Sequence, residues 1–349
     1  MKKVGIITFY NAYNYGAFLQ TFATQKVLEN KFDVSVIQYS CKDIKKHYRL
    51  IKTVNIKKFA KSILFLPHNI KRKAKFLRCI NTKLSLKDIT SKFDYVIAGS
   101  DQIWNINLTG GYDNVYSLEY FKNAKKISYA SSIGDETLVQ KNKDIYNRIL
   151  NNIDNISVRE ESAKEELNKI SDKKIKVNLD PTLLLTKEEW KTYVTSNPIS
   201  DSYIFSYFVG VTQDNYDALN RLSKKFNMPV VSYSENPKEN NIIKHCYTDD
   251  PFEFITKIKD ADFIFVSSFH ATVFSIIFNK EFYCMPPKDK GNRIINLLKK
   301  LGLESRIIYD KDDIDKIDLY EKIDYEPVNK KLNEYRKDSL EWLVKSLEE

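Results

Sequence analysis

The 349-residue chain carries 42% hydrophobic and 29% charged residues and a formal net charge of +10. That balance excludes a disordered polypeptide, and the length suits two domains better than one. No stretch nears the roughly 20 apolar residues of a membrane-spanning helix, and the short apolar run after Met1-Lys2-Lys3 is no secretory core, so a cytoplasmic protein is expected.

In chain order, Val4-Gly5-Ile6-Ile7-Thr8 reads as a first buried parallel strand. A loop with Asn11, Asn14 and Gly16 follows, and then Phe18, Phe22, Val27 and Leu28 fall at near-helical spacing. Val34-Ser35-Val36-Ile37 makes the next strand. From Lys42 to Lys92, sixteen Lys or Arg stand against two acids, Asp43 and Asp88, which leaves the rest of the chain slightly acidic. So dense a positive stretch points to an anionic partner such as phospholipid head groups, a diphosphate-linked glycan or nucleic acid. Ile63-Leu64-Phe65-Leu66 before Pro67 suits a short amphipathic helix at a membrane surface. The plainer alternative is a solvated basic helical insertion.

The strand rhythm resumes at Tyr95-Val96-Ile97-Ala98-Gly99 and continues at Ile127–Ala130, Ile156–Val158 and Lys174–Val177, until Asp180-Pro181-Thr182 breaks it. A second series begins at Tyr203–Phe208, with a helix carrying Tyr216, Leu219 and Leu222, then Pro229–Ser232 and Phe263–Val266. A last helix is expected over about Asn329 to Leu347. Two blocks of alternating strand and helix imply an α/β protein of two parallel-sheet, Rossmann-like domains facing each other across a cleft. The expected boundaries are 1–185 with the basic insertion at about 42–92, 186–325, and a C-terminal helix over 326–349 packing at the junction. Cys41, Cys79, Cys246 and Cys284 are scattered without C-x-x-C spacing, which reads as reduced thiols and not as disulfides or a metal site.

In parallel sheets, ligands bind where strands end and helices begin. Four segments sit at such points. In Asn11–Ala17, Gly16 lets backbone approach a ligand and Asn14 offers hydrogen bonds; a helix cap is the structural alternative. In Ala98–Asn105, a Gly, a hydroxyl, a carboxylate and the amide of Gln102 arrive together, followed by Trp104, which could stack on a sugar. Asp101 could take a proton from a hydroxyl, or Ser100 and Asp101 could simply cap the next helix. In Ser157–Ser162, Arg159 suits a bidentate grip on a carboxylate or phosphate, while Glu160 and Glu161 favour a helix N-terminus by charge. In Val266–Thr272, His270 stands beside two hydroxyls at a strand-to-helix junction, a place that favours chemistry over a structural role. No G-x-S-x-G elbow, Walker loop or H-E-x-x-H motif is present.

Together and in this order the loops resemble those of the polysaccharide pyruvyl transferase family. The match rests on Asn14-Tyr15-Gly16-Ala17-Phe18-Leu19-Gln20, Gly99-Ser100-Asp101-Gln102-Ile103-Trp104-Asn105, Ser157-Val158-Arg159-Glu160 and Asp180-Pro181-Thr182-Leu183-Leu184. It ends on Ala261-Asp262 leading to Ser268-Phe269-His270-Ala271-Thr272-Val273-Phe274-Ser275. The resemblance implies a fold similar to the two-domain GT-B glycosyltransferases. It also implies transfer of a pyruvyl group from phosphoenolpyruvate to sugar hydroxyls of a surface glycan or its lipid-diphosphate-linked precursor; no carboxylate cluster demands a metal, so no metal and no cofactor is expected. Arg159 and His270 match the family's donor-holding Arg and His. Many members carry Arg where this chain has Ser268, which places the chain in the subgroup with Ser-Phe-His. Lys288 or Arg293 in the following loop could replace that charge.

The expected site therefore has His270 and Asp101 as catalytic residues, Arg159, Ser268, Arg293, Lys288 and Gly16 on the donor, and Asn14, Gln102 and Trp104 on the acceptor. His270 would supply a proton or hold the departing phosphate, and Asp101 would accept the hydroxyl proton. The basic stretch would hold a lipid-linked acceptor at an anionic inner membrane face. A nucleotide-sugar glycosyltransferase of the same plan is the alternative enzyme. A non-catalytic glycan- or polyanion-binding protein is the other alternative, although no nucleic-acid motif supports nucleic-acid binding.

Overall fold

The computed structural model describes residues 1–49, 63–199, 201–210, 212–233, 243–287, 291–318 and 320–348. They form two compact units, Met1–Leu185 with Glu334–Glu349, and Thr186–Asn333.

The first unit is built on a seven-stranded sheet. Its strands are β1 (Lys3–Ile7), β2 (Asp33–Gln38), β3 (Leu86–Asp88), β4 (Tyr95–Ala98), β5 (Lys125–Ser131), β6 (Asn155–Val158) and β7 (Ile175–Val177), in the order β3-β2-β1-β4-β5-β6-β7. All six pairings are parallel. The central strands are short apolar runs buried on both faces, as β1 and β4 show, because helices cover both sides of such a sheet. The chain steps outward from β1 to β3 and then returns to β4 on the other side of β1. This reversal leaves a crevice at the carboxyl ends of β1 and β4, where ligands bind in open α/β sheets.

Helix Tyr15–Leu28 leads out of β1 and is buried on nearly every side, including polar Gln20, Thr21, Thr24 and Gln25. Asn14 caps it by accepting from the Ala17 backbone N–H. The basic stretch proves to be part of the domain and not only a solvated insertion. It holds helix Lys42–His47 and helix Leu66–Lys83, and it supplies edge strand β3, whose Leu86 pairs with Val36. Pro67 lies in the first turn of helix Leu66–Lys83, where its missing N–H costs nothing.

The second unit carries β8 (Ile204–Tyr207), β9 (Val230–Ser232), β10 (Ile243–His245), β11 (Phe263–Val266) and β12 (Phe282–Cys284), in the order β10-β9-β8-β11-β12. All four pairings are again parallel. The reversal falls between β8 and β11. Strand β11, Phe-Ile-Phe-Val, is buried at every position. Helices Gln213–Phe226 and Pro251–Asp260 both start on capping boxes, Thr212 with Asn215 and Asp250 with Glu253, which satisfy two orphan N–H groups at each start.

The last helix runs over Tyr325–Glu348. Its later turns are fastened to the first unit: Arg336 Nε donates to the Leu183 carbonyl at 2.8 Å, Ser339 Oγ accepts from the Leu179 N–H at 3.1 Å, and Lys176 pairs with Asp338 at 2.7 Å. No disulfide links the four cysteines. Among the described residues, no helix is long and apolar enough to cross a membrane, and no cluster of three or more His, Cys, Asp or Glu is arranged to hold a metal.

Candidate active site

In the first unit the loops after β1, β4, β5, β6 and β7 are tied together by buried polar side chains. Gln20, from helix Tyr15–Leu28, makes the first tie. Its Nε2 donates to Thr8 Oγ1 at 2.9 Å and its Oε1 accepts from the Ser100 N–H at 3.0 Å. Thr8 Oγ1 in turn donates to the Ser100 carbonyl at 3.1 Å. Ser100 Oγ donates to the Ala130 carbonyl at 2.9 Å and lies 3.3 Å from Asp180 Oδ2.

Arg159 is the hub. Its side chain is 3% exposed, with Nε donating to Glu160 Oε1 at 2.9 Å and Nη1 to Asp180 Oδ2 at 2.8 Å. Burial alone would make the guanidinium easier to deprotonate, but Glu160, Asp180 and Asp101 more than offset that and push its pKa up. Ser132 Oγ donates to Glu160 Oε1 at 2.9 Å, and Asp180 Oδ1 accepts from both the N–H and the hydroxyl of Thr182. Three carboxylates thus surround one cation, so this corner carries net negative charge. Of the two glutamates expected to favour a helix by charge, Glu161 stands in the first turn of helix Glu161–Asn168 and Glu160 is its N-cap residue, without a side-chain cap bond. Glu160 is 3% exposed and also serves Arg159 and Ser132.

Gly99 has φ +122°, and a Cβ there would lie 2.2 Å from the Tyr129 carbonyl oxygen, so only glycine fits. Asp101 is half-buried in the left-handed region, φ 67°, which Asp tolerates better than most residues. Its carboxylate accepts from the Gln102 N–H at 2.9 Å, and its carbonyl accepts from the Ser132 N–H. The next helix, Ile106–Thr109, is capped by Asn105. Neither Ser100 nor Asp101 has the capping role that the sequence allowed. Gln102 Oε1 accepts from Asn105 Nδ2 at 3.0 Å.

Trp104 requires a correction. It is 1% exposed within the apolar core, so its ring has no face to offer a sugar. The residues after Ile103 turn inward because the short helix packs its apolar side beneath the loops. Gly16 lies buried in the first turn of its helix, next to the cap Asn14.

In the second unit the loops after β8, β11 and β12 are pinned by extension of the sheet pattern. The Ser267 N–H donates to the Tyr207 carbonyl, Ser267 Oγ accepts from the Val209 N–H at 2.9 Å, and the Met285 N–H donates to the Val266 carbonyl. Helix Phe269–Ile277 starts here, with Ser268 as its cap. His270 is half-buried in its first turn, and its ring stands edge-on to Phe269 with centroids 5.2 Å apart. The Arg293 guanidinium lies 5.8 Å from the Phe269 ring centroid, a cation–π distance. Phe269 therefore meets both candidate groups. Lys288 lies outside the described residues. By sequence, residues 285–293 set Lys288, Lys290 and Arg293 against Asp289, and 208–210 and 267–270 hold no acid, so these loops are net positive.

Sequence reasoning passed over Gln20, Ser132 and Asp180 as site residues. Each carried a signal: a Gln directly after the apolar Ala17-Phe18-Leu19 of the first helix, a hydroxyl at the end of a strand, and an Asp before Pro where a strand breaks off.

Two parallel sheets with order reversals and polar loops at their carboxyl ends define an α/β fold of the GT-B class. Solved structures agree on the fold. The UDP-GlcNAc 2-epimerase of Methanocaldococcus jannaschii is 14% identical with a TM-score of 0.54, covering 99% of each chain. That of Neisseria meningitidis is 10% identical with a TM-score of 0.54, also covering 99% of each. None of the curated proteins compared matches the sequence. The chain belongs to the polysaccharide pyruvyl transferase family, whose profile matches residues 14–289.

Proposed function

We propose that the protein transfers a pyruvyl group from phosphoenolpyruvate to a pair of hydroxyls on a sugar of an envelope glycan or its lipid-linked precursor. In this reaction the donor's methylene carbon gains a proton and its central carbon bonds to two sugar oxygens. Phosphate leaves, one hydroxyl proton ends on the new methyl group and the other on the phosphate. The donor is a compact dianion or trianion, so it needs cations and N–H donors and is repelled by carboxylates. One observation carries the assignment: the strand-end loops of the second unit combine Ser268 and His270 with Arg293, in a loop whose sequence sets Lys288, Lys290 and Arg293 against Asp289 alone. The donor is placed there, with His270 protonating the methylene carbon or holding the departing phosphate.

The acceptor hydroxyls go to the first unit, where carboxylates dominate. Asp101 takes the hydroxyl proton, and Asn14 and Gln102 orient the sugar. Arg159 is spoken for by Glu160 and Asp180, and it contributes by holding the loops after β6 and β7 in place. Lys288 joins Arg293 on the donor side, and Gly16 keeps the first turn of its helix slim near the cap.

The test is release of inorganic phosphate from phosphoenolpyruvate in the presence of a lipid-linked or polysaccharide acceptor, followed by detection of an acid-labile pyruvate ketal. Phosphate release that requires His270 supports the reading. Consumption of a uridine diphosphate sugar, with phosphoenolpyruvate untouched, would move the chemistry to glycosyl transfer.

A further inference from the structure

The basic stretch offers a surface that neither strand-end corner uses. Helix Leu66–Lys83 is a two-faced element. Its inner face buries Arg72, Phe76, Cys79 and Ile80. A helix packed this way is expected to turn a polar face outward. This one instead carries Pro67, Ile70, Ala74 and Leu77 along its outer line, all exposed and spaced three and four apart. Ile70 is 51% exposed and Leu77 38%, and just ahead of the helix Leu64 is 72% and Ile63 45% exposed. Single exposed leucines are ordinary; an adjoining set is not.

The charges complete the pattern. Between Ile63 and Leu84 there are six Lys or Arg and no Asp or Glu. Lys71 and Arg78 are exposed beside the apolar line, and Arg72 alone of the six is buried. An apolar ridge flanked by cations is how a helix lies in the interface of an anionic bilayer, with side chains in the acyl boundary and ammonium or guanidinium groups among phosphates. A nucleic acid or an acidic polymer would use the cations and leave the ridge without a purpose.

The inner face links this helix to the candidate acceptor loop. Arg72 Nη2 donates to the Tyr13 carbonyl at 2.9 Å, and its guanidinium lies 5.0 Å from the Tyr15 ring centroid. Phe76 meets both tyrosine rings, at 6.2 and 5.2 Å. Asn14 stands between those tyrosines in the chain, so this helix also holds the loop that carries Asn14.

We infer that helix Leu66–Lys83, with Ile63 and Leu64 ahead of it, docks the protein on an anionic lipid bilayer. The inference does not depend on pyruvyl transfer and survives its failure. The test is co-sedimentation of the full chain with phosphatidylcholine vesicles, with and without phosphatidylglycerol. Two variants are compared with wild type, Leu64→Ser/Ile70→Ser/Leu77→Ser and Lys71→Gln/Arg78→Gln. Wild type binds the anionic vesicles, and each variant loses about tenfold or more in partitioning. Circular dichroism stays unchanged, because the replaced side chains are exposed. The stabilisation of the apolar variant by phosphoenolpyruvate also stays as in wild type, which separates docking from donor binding. Three results would overturn the inference. They are no vesicle binding by wild type, a triple serine variant that binds as wild type does, or a triple variant that changes only the oligomeric state, which would mark the ridge as a contact between copies.

Discussion

The carboxyl ends of the two sheets differ in what they hold. In the first unit an arginine is locked between two carboxylates and the loops around it are cross-tied by Gln20, Ser100, Ser132 and Thr182. In the second unit an arginine and a histidine each meet one phenylalanine, and the loop sequence 285–293 is net positive, with Lys288, Lys290 and Arg293 against Asp289. The same residue type therefore serves two ends. Arg159 organises backbone, and Arg293 lies over the Phe269 ring beside the helix start that carries His270. A strand-end arginine is not by itself an anion site; its neighbours decide.

The largest expected effect tests that contrast through stability. Arg159→Met leaves Glu160 and Asp180 buried without their cation and costs about 3–5 kcal/mol in chemical denaturation. Arg293→Met costs less than about 1 kcal/mol yet raises the KM for phosphoenolpyruvate about tenfold or more. If Arg159→Met were as stable as wild type and lost only donor binding, the two arginines would have to exchange roles. Next in size is His270→Ala, expected to lower phosphate release about a hundredfold or more with little change in Tm. An unchanged rate would remove the second unit's corner from the chemistry.

Gly99→Ala sharpens the view of the first unit as rigid. The positive φ and the closeness of the Tyr129 carbonyl predict a loss of about 1–3 kcal/mol, read as a lower denaturation midpoint. The smallest effect is that of Ser268→Ala, about 1 kcal/mol or less, because the cap bond to the Ala271 N–H is 3.5 Å long. A weaker donor affinity in that variant, beyond the stability loss, would place the Ser268 hydroxyl on the ligand.

Much of this was legible in the sequence, for physical reasons. Central strands such as β4 and β11 are continuous apolar runs because both their faces are covered, and they stand out. Strands β3, β10 and β12, each three residues long at a sheet edge, do not, whereas β7, equally short and at an edge, is marked by the Asp180-Pro181 break soon after it. Leu86-Lys87-Asp88 is also polar enough to pass for part of the basic stretch. Loop positions were readable because strand ends follow from strands. Side-chain direction was not: Trp104 looked like a sugar platform until the packing beneath its loop turned it inward. Pairings between distant segments were equally hidden. Nothing in the spacing of Arg159 and Asp180 tells that their side chains meet at 2.8 Å. Family resemblance marked both segments, but only the fold shows that one neutralises the other.

Whether the second unit's loops hold an anionic donor is tested most directly by a thermal-shift titration with phosphoenolpyruvate, run beside a uridine diphosphate sugar, on wild type and Arg293→Met. Phosphoenolpyruvate at about a hundred times its Kd is expected to stabilise wild type by about 2.7 kcal/mol, with most of this lost in Arg293→Met. A shift with the nucleotide sugar alone, or a phosphoenolpyruvate shift untouched by Arg293→Met, would contradict this placement of the donor.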